Sequence, residues 1–184
     1  MPKLILGLVG EIATGKGSAA SYLKQKYGAK SLRFSTPMRD ILDRLFIPQS
    51  RENLVGLSET LRHTFGEDVF AHAIFKEVQE TNANLVVLDG IRRTQDMKHL
   101  KTLPHFVLVK IVADPKVCFH RSKERAENAG DASKNYKDFL ADRHRATETT
   151  IPAVLRAATE KIDNNGELAD LFKQLDALVR KYLK

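Results

Sequence analysis

The chain lacks the features that mark several special classes of protein. Its 184 residues include no tryptophan and one cysteine, Cys118, which excludes an internal disulfide. No apolar stretch approaches the ~18 residues needed to span a membrane, so we expect no membrane association. Met1-Pro2-Lys3 leads straight into an apolar run, which leaves no room for a signal peptide and predicts a cytoplasmic location.

Positive charge is in excess but is not concentrated. The formal net charge is +7, yet no run of five or more basic residues occurs. The arginines stand singly or in pairs near the predicted ends of elements, which favours small phosphate-bearing molecules over a nucleic-acid surface. We therefore expect small-molecule nucleotide substrates and no nucleic-acid partner. Composition does not distinguish a monomer from a homodimer.

Apolar runs alternate with helical patterns along the chain, and no repeat or linker divides it. This alternation predicts one α/β domain with three layers. Pro48 and Gly56 interrupt a helical pattern, so a new helix is predicted to begin at Ser58. Residues 161–163 are too few to predict a strand alone. Strands are predicted over 3–9, 30–34, 84–90 and 105–112, and helices over 15–27, 94–101, 115–128, 134–146 and 167–182, with three more between 36 and 80.

A glycine-rich loop follows the first predicted strand and precedes the first predicted helix. Its pattern, Gly-x-x-x-x-Gly-Lys, is typical of a loop whose backbone N–H groups surround phosphates. Lys16 supplies a mobile positive charge for the outer phosphates. Gly17 stands where a serine or threonine would ligate magnesium directly, and Ser18 comes one place later. The predicted ATP-binding residues here are Glu11, Ile12, Ala13, Thr14, Gly15, Lys16, Gly17 and Ser18.

Asp89 ends the third predicted strand and is followed by Gly90. Ligands collect at the carboxyl ends of parallel strands, so Asp89 and the loop should face one crevice. A carboxylate there can hold Mg²⁺, directly or through water. The alternative is that Asp89 caps the following turn, which is a common role for aspartate.

Two groups of arginines flank this predicted crevice. Phosphoryl transfer depends on positioning and on positive charge along the transferring group, and arginine supplies both. Arg121 and Arg125 are four residues apart and share a helix face. Arg143 and Arg145 are two apart, so at most one should point at the phosphates. The acceptor-side group is Arg39, Arg62, Arg92 and Arg93. For any one of these arginines taken alone, a solvated surface residue is the favoured interpretation; only as two groups do they indicate phosphate binding.

The first half of the chain resembles the adenylate kinases. The Gly10–Ser18 loop looks like theirs, although Ile12 and Ala13 stand where they usually have proline and glycine. Phe34-Ser35-Thr36-Pro37-Met38-Arg39 resembles their Ser-Thr-Gly-Asp-x-x-Arg, and Asp89-Gly90-Ile91-Arg92-Arg93-Thr94 resembles their Asp-Gly-Phe-Pro-Arg-Thr. The resemblance implies acceptor contacts from Ser35, Arg39 and Arg93, and a metal held by Asp89 and Ser18 largely through water.

The downstream half is similar to poorly characterised, mostly archaeal nucleotide kinase-like proteins related to dephospho-CoA kinase. Their Asp-Gly-Ile-Arg points to Arg92 instead of Arg93 as the acceptor ligand. Ala141-Asp142-Arg143-His144-Arg145 is similar to an arginine-rich stretch of their lid. Ile162–Gly166 resembles the turn at which dephospho-CoA kinases hold adenine, which implies Asn165. Those enzymes have an acid after strand two, where this chain has Phe34-Ser35-Thr36.

Together these features predict a P-loop NTPase fold with a five-stranded parallel sheet of order 2-3-1-4-5. Its single domain would comprise a core (about 1–35, 81–117 and 151–184), a helical acceptor-binding arm (36–80) and a helical lid (118–150). The predicted activity is transfer of the γ-phosphoryl of ATP to a nucleoside monophosphate, with Mg²⁺ as cofactor and Lys16, Arg121, Arg125 and Arg143 as catalytic residues. The alternatives are transfer to a hydroxyl, as in dephospho-CoA kinase, and a regulatory nucleotide-binding module without kinase activity.

Overall fold

A five-stranded, wholly parallel sheet forms the centre of the protein. This computed structural model describes residues 1–125, 135–143 and 150–183, without the side chains of Arg125 and Asp142. The strand order is β2-β3-β1-β4-β5, as predicted. The strands are β1 Leu4–Val9, β2 Lys30–Arg33, β3 Leu85–Asp89, β4 Phe106–Val112 and β5 Glu160–Asp163.

Helices cover both faces of this sheet. They are α1 Lys16–Tyr27, α2 Thr36–Arg44, α3 Arg51–Phe65, α4 Val69–Glu80, α5 Pro115–Arg125, α6 Tyr136–Arg143, α7 Ile151–Arg156 and α8 Leu168–Tyr182. Because both faces are covered, every residue of β1 is buried, which explains its continuous apolar run. Among the described residues, no helix is long and apolar enough to cross a membrane.

Strand alternation divides the core into two layers. Val87 packs with the apolar residues of α1 and α8 on one face. Leu88 packs on the other face with residues of α2, α4 and α7. Asp89 comes two residues after Val87 in the same strand, so its side chain lies on the same side of the sheet, the side of α1. The arm helices α2 and α4 therefore cover the opposite face.

Several predicted boundaries were wrong. Gly56 lies inside α3, which begins at Arg51 because the Ser50 hydroxyl caps it by accepting from the Asn53 N–H at 3.1 Å. The helix predicted over 94–101 is two short 3₁₀ helices, Thr94–Met97 and Leu100–Thr102. The fifth strand of the predicted sheet is β5, which pairs with β4 and includes the residues 161–163 that were too few to assign alone. No prediction was made for α7. The predicted ends of two helices, 126–128 and 144–146, lie outside the described residues.

Candidate functional site

The loop between β1 and α1 is held by hydrogen bonds between its own residues. The Thr14 hydroxyl donates to the Glu11 carbonyl at 3.0 Å, and Thr14 is buried. A Cβ on Gly10 would lie 2.5 Å from the Ile111 carbonyl oxygen, and Gly15 has φ of 102°. Backbone crowding at the first position and a left-handed conformation at the second both require glycine. The loop is thus tightly curled, as a phosphate-binding loop must be.

Lys16 folds back across this loop from the first turn of α1. Its ammonium donates to the carbonyl oxygens of Gly10 at 2.7 Å and Glu11 at 2.9 Å. The N-terminus of α1 adds its partial positive charge at the same place. A phosphate entering the loop would meet a cation and backbone dipoles that are already oriented toward it.

A second segment, the turn after β5, is bonded to the loop. Asn164 is buried, and its side-chain amide donates to the Thr14 carbonyl at 2.8 Å. Asn165, the residue predicted to lie near adenine, accepts instead from the Asp114 N–H at 2.6 Å. Sequence reasoning therefore missed the asparagine that contacts the loop. The Asn-Asn-Gly turn was the available signal, but it does not tell which amide points inward.

Two predicted lid arginines reach this region. Arg121 donates to the carbonyls of Asn164 at 2.6 Å and Gly166 at 3.0 Å, so it lies against the turn. Arg143 of α6 forms an ion pair with Glu11 of the loop, and its side chain is 14% exposed. The side chain of Arg125 and the whole of Arg145 lie outside the described residues. Cations from α1 and α6 thus contact the loop, and a cation from α5 contacts the turn that is bonded to it.

Cys118 of α5 is buried between these groups. Burial raises the pKa of its thiol, and the nearby charges of Arg121 and Lys16 oppose that rise. The thiol contacts the Ala113 carbonyl at 3.8 Å. It is a core thiol.

Asp89 lies beside the loop at the top of a groove between α1 and β2. The groove has a volume of about 340 Å³ and is lined by Gly17, Ser18, Ala20, Ser21, Lys24, Ser31, Arg33 and Asp89. Its carboxylate and hydroxyl oxygens are ligands of the type that Mg²⁺ prefers, usually alongside water and substrate phosphates. The described residues include no cluster of three or more His, Cys, Asp or Glu that could hold a metal alone. These residues therefore fit a magnesium ion whose remaining ligands come from water and the phosphates of a nucleotide.

Two residues predicted to bind the acceptor lie at the start of the arm. The Arg39 guanidinium donates to the Ser35 hydroxyl at 3.3 Å and to the Gln49 side chain at 2.6 Å. Both bonds are partly exposed to solvent, so a stronger anionic ligand could replace them. Arg39 and Ser35 are thus neighbours, as a shared role requires.

Arg62, another predicted acceptor ligand, occupies a different environment. Its side chain is 7% exposed and forms an ion pair with Asp96 at 2.7 Å. It also donates to the Glu67 carbonyl and lies 5.0 Å from the centroid of the Phe70 ring. The guanidinium is thus engaged by groups inside the protein, which argues against a contact with the acceptor.

Asp96 also shapes the loop after β3, a role that the sequence reasoning missed. Its second carboxylate oxygen accepts the backbone N–H groups of Arg92 at 3.0 Å and Arg93 at 2.9 Å. The Arg93 guanidinium pairs with Glu67 at 2.8 Å, and Arg92 is exposed. Asp96 thus fixes the backbone at both arginines. The sequence signal for this role was the spacing: Asp96 lies three residues after Arg93, where a carboxylate can cap the start of a short helix.

A polar cluster behind the site joins α1 to α8. Asp176 accepts from the hydroxyls of Tyr22 at 2.8 Å and Tyr27 at 2.7 Å, and from the Lys26 ammonium at 2.7 Å. These hydrogen bonds lower the pKa of Asp176 to about 2, and the bond from Lys26 contributes most. Tyr22 also stacks on Phe172 with ring centroids 3.9 Å apart. The cluster fixes α1, and with it the direction in which the loop faces.

The strand order and the loop together define a fold of the P-loop kinase class, and comparisons with known proteins support it. No protein-family model matches the chain. It is similar to a UPF0200 protein of Methanocaldococcus jannaschii, with 25% identity covering 98% of this chain and 91% of the relative. The shared sequence does not assign the chain to the adenylate kinases or to the dephospho-CoA kinases.

Solved shikimate kinases share the fold. The enzyme from Bacteroides thetaiotaomicron superposes with a TM-score of 0.63 at 15% identity, covering 96% of this chain and 98% of that one. The enzyme from Acinetobacter baumannii in complex with shikimate gives 0.53 at 17% identity, covering 98% and 96%. At these levels of sequence identity, the similarity shows a shared fold alone.

Proposed function

We propose that the protein is an ATP-dependent phosphotransferase that moves the γ-phosphoryl of ATP to a small acceptor. The observation that carries this proposal is the convergence of two cations from separate elements, Lys16 of α1 and Arg143 of α6, on one glycine-rich loop. Catalysis of phosphoryl transfer rests largely on positioned positive charge, which stabilises the transition state.

The donor triphosphate would bind along the loop from Gly10 to Ser18. Lys16 would exchange its carbonyl partners for phosphate oxygens, and Arg143 would leave Glu11 for the transferring group. Arg121 and Asn165 lie at the turn after β5, where the adenine is expected. Asp89 and Ser18 would hold Mg²⁺, largely through water, and the ion would offset the charge of the phosphates. The localisation that we expect is cytoplasmic.

The acceptor would bind at the base of the arm, with Ser35, Arg39 and either Arg92 or Arg93 as its ligands. A nucleoside monophosphate is the acceptor that we favour, because two arginines suit a phosphate group. A phosphate acceptor needs no general base. Arg62 is left out because its guanidinium is buried in an ion pair.

Transfer to a hydroxyl is the second candidate. The resemblance to dephospho-CoA kinases and the fold shared with shikimate kinases both support it. A hydroxyl acceptor would call for a base near the crevice. A third possibility, from another class, is a regulatory module that binds nucleotide without transferring phosphate.

An ADP-release assay with ATP and Mg²⁺ separates these functions. The acceptor panel contains nucleoside monophosphates, dephospho-CoA and shikimate. We expect one monophosphate to raise ADP formation and Lys16→Ala to remove that activity, while Lys30→Ala, which changes an exposed lysine of β2, retains it. Stimulation by dephospho-CoA or shikimate alone would support the hydroxyl acceptor. If no acceptor raises ADP above background although ATP binds, the protein is a regulatory module.

A further inference from the structure

Arg33 and Asp89 face each other across the edge of the sheet. They are paired in the register of β2 with β3, and the Arg33 Nε lies 3.5 Å from Asp89 Oδ2. Both side chains line the groove beside α1. Among the described residues, Arg33 is the only ion-pair partner of the Asp89 side chain. The residue proposed to carry Mg²⁺ therefore already holds a cation of the protein itself.

This ion pair is weak enough to be displaced. Its distance exceeds the 2.7–3.2 Å of ordinary N–H···O hydrogen bonds. The Arg33 side chain is 52% exposed, so solvent screens the attraction. A divalent cation carries twice the charge and approaches a carboxylate oxygen more closely than a guanidinium does.

Arg33 also has space to move into. The groove extends along α1 from Ser18 toward Lys24, and serine hydroxyls line its wall. A guanidinium and a magnesium ion on the same carboxylate would repel each other, so binding of the metal requires Arg33 to turn away. Lys24 also lines the groove, but it has no ion-pair partner among the described residues, so binding of the metal does not require it to move.

We propose that Arg33 is a positioning residue that neutralises Asp89 in the absence of metal and is displaced into the groove when Mg²⁺ binds. The proposal rests on the proposed function, because it takes Asp89 as the carrier of the metal. It follows that Arg33 lowers the affinity for Mg²⁺ and keeps an unpaired carboxylate from repelling the incoming phosphates. Arg33 acts through Asp89 and is not placed in contact with the reacting atoms.

The test measures how much Mg²⁺ tightens the binding of a non-hydrolysable ATP analogue. Calorimetric titrations with and without Mg²⁺ give two dissociation constants, and their ratio is the metal-dependent gain. This ratio cancels effects of a charge change that act equally on the free and the metal-bound nucleotide. The free nucleotide carries more negative charge, so a control that removes another cation measures the remaining effect. The variants are Arg33→Gln, Asp89→Asn, the double variant, and Lys24→Gln as a matched control that removes a cation from the same groove.

We expect Arg33→Gln to enlarge the gain roughly two- to fivefold, the range set by partly exposed ion pairs. Asp89→Asn should abolish most of the gain, and Arg33→Gln should add nothing in that background. Lys24→Gln should enlarge the gain clearly less than Arg33→Gln does.

The contrary outcomes are distinguishable. If Asp89→Asn removes the gain but Arg33→Gln does not enlarge it, the inference about Arg33 fails and the metal site stands. An equal enlargement by Lys24→Gln would also overturn it, since the effect would then be one of general positive potential. If wild type shows no gain, or Asp89→Asn retains it, the metal site of the proposed function fails and Arg33 loses its role with it.

Discussion

Arg62 and Asp96 form a buried ion pair that joins the arm to the loop after β3. The two residues are 34 positions apart in sequence, and their side chains are 7% and 1% exposed. Asp96 accepts the backbone N–H groups of Arg92 and Arg93 with its other oxygen. One carboxylate therefore fixes both the position of α3 and the backbone of two proposed acceptor ligands.

Substituting Asp96 by alanine should destabilise the protein strongly. The change leaves the guanidinium of Arg62 buried without its counter-charge, which typically costs about 3–5 kcal/mol. Urea unfolding measures the loss of free energy, and Glu77→Ala, at an exposed position of α4, controls for the removal of a carboxylate. Equal unfolding midpoints for the two variants would contradict the structural role of the pair.

Substituting Gly10 by alanine should disrupt the phosphate-binding loop. The new Cβ would lie 2.5 Å from a backbone carbonyl that cannot move easily, so we expect at least about a tenfold loss of affinity for ATP. Gly56→Ala is the matched control, because a Cβ there meets nothing within 4 Å. In α3 it should stabilise the protein by about 0.5–1 kcal/mol. Unchanged ATP binding by Gly10→Ala would argue against this loop as the site.

Arg143→Ala should lower the rate of phosphoryl transfer more than it weakens ATP binding. The side chain comes from α6, a different element from the loop, and pairs with Glu11, so its proposed contribution is to the transition state. A loss of at least roughly tenfold in kcat is expected, because lysine or alanine cannot reproduce the planar fork of arginine. Steady-state kinetics with Arg180→Ala, at an exposed site on α8, gives the control. An equal change in KM and none in kcat would assign Arg143 to binding alone.

Stability should fall at acid pH through Asp176. Its pKa in the folded protein is about 2, below the value of about 3.9 in an unfolded chain. The stabilisation is therefore fully present above about pH 4 and is lost as the pH falls toward 2. Asp176→Asn should lower the free energy of unfolding at pH 7 and make it less dependent on pH between 4 and 2. Urea unfolding across this range checks the slope, with Glu80→Gln as the control.

Much of the fold could be predicted because its signals are local. The apolar run of β1, the glycines of the loop and Lys16 are contiguous, so periodicity and spacing suffice to place them. β5 could not be assigned alone, because four residues become a strand only by pairing with β4. Gly56 seemed to end a helix, but the cap at Ser50 and the packing of α3 outweigh the small cost of one glycine.

The candidate site was harder, since burial and partners depend on distant parts of the chain. Arg62 was placed in the same group as Arg39 by its position in the chain, yet Asp96 and Phe70 enclose it. Asn164 and Asn165 differ by one position, and only the path of the turn decides which amide reaches Thr14. Asp89 was placed correctly at a strand end, but its pairing with Arg33 depends on the register of β2 against β3.

The alternation of β3 gives the protein two separately adjustable halves. Asp89 points to the side of α1, while the arm is packed on the opposite face through residues such as Leu88. On the proposed function, substitutions in the arm could alter the acceptor without rebuilding the loop and Asp89 on the other side. A scaffold divided in this way could acquire new acceptors by changing one layer.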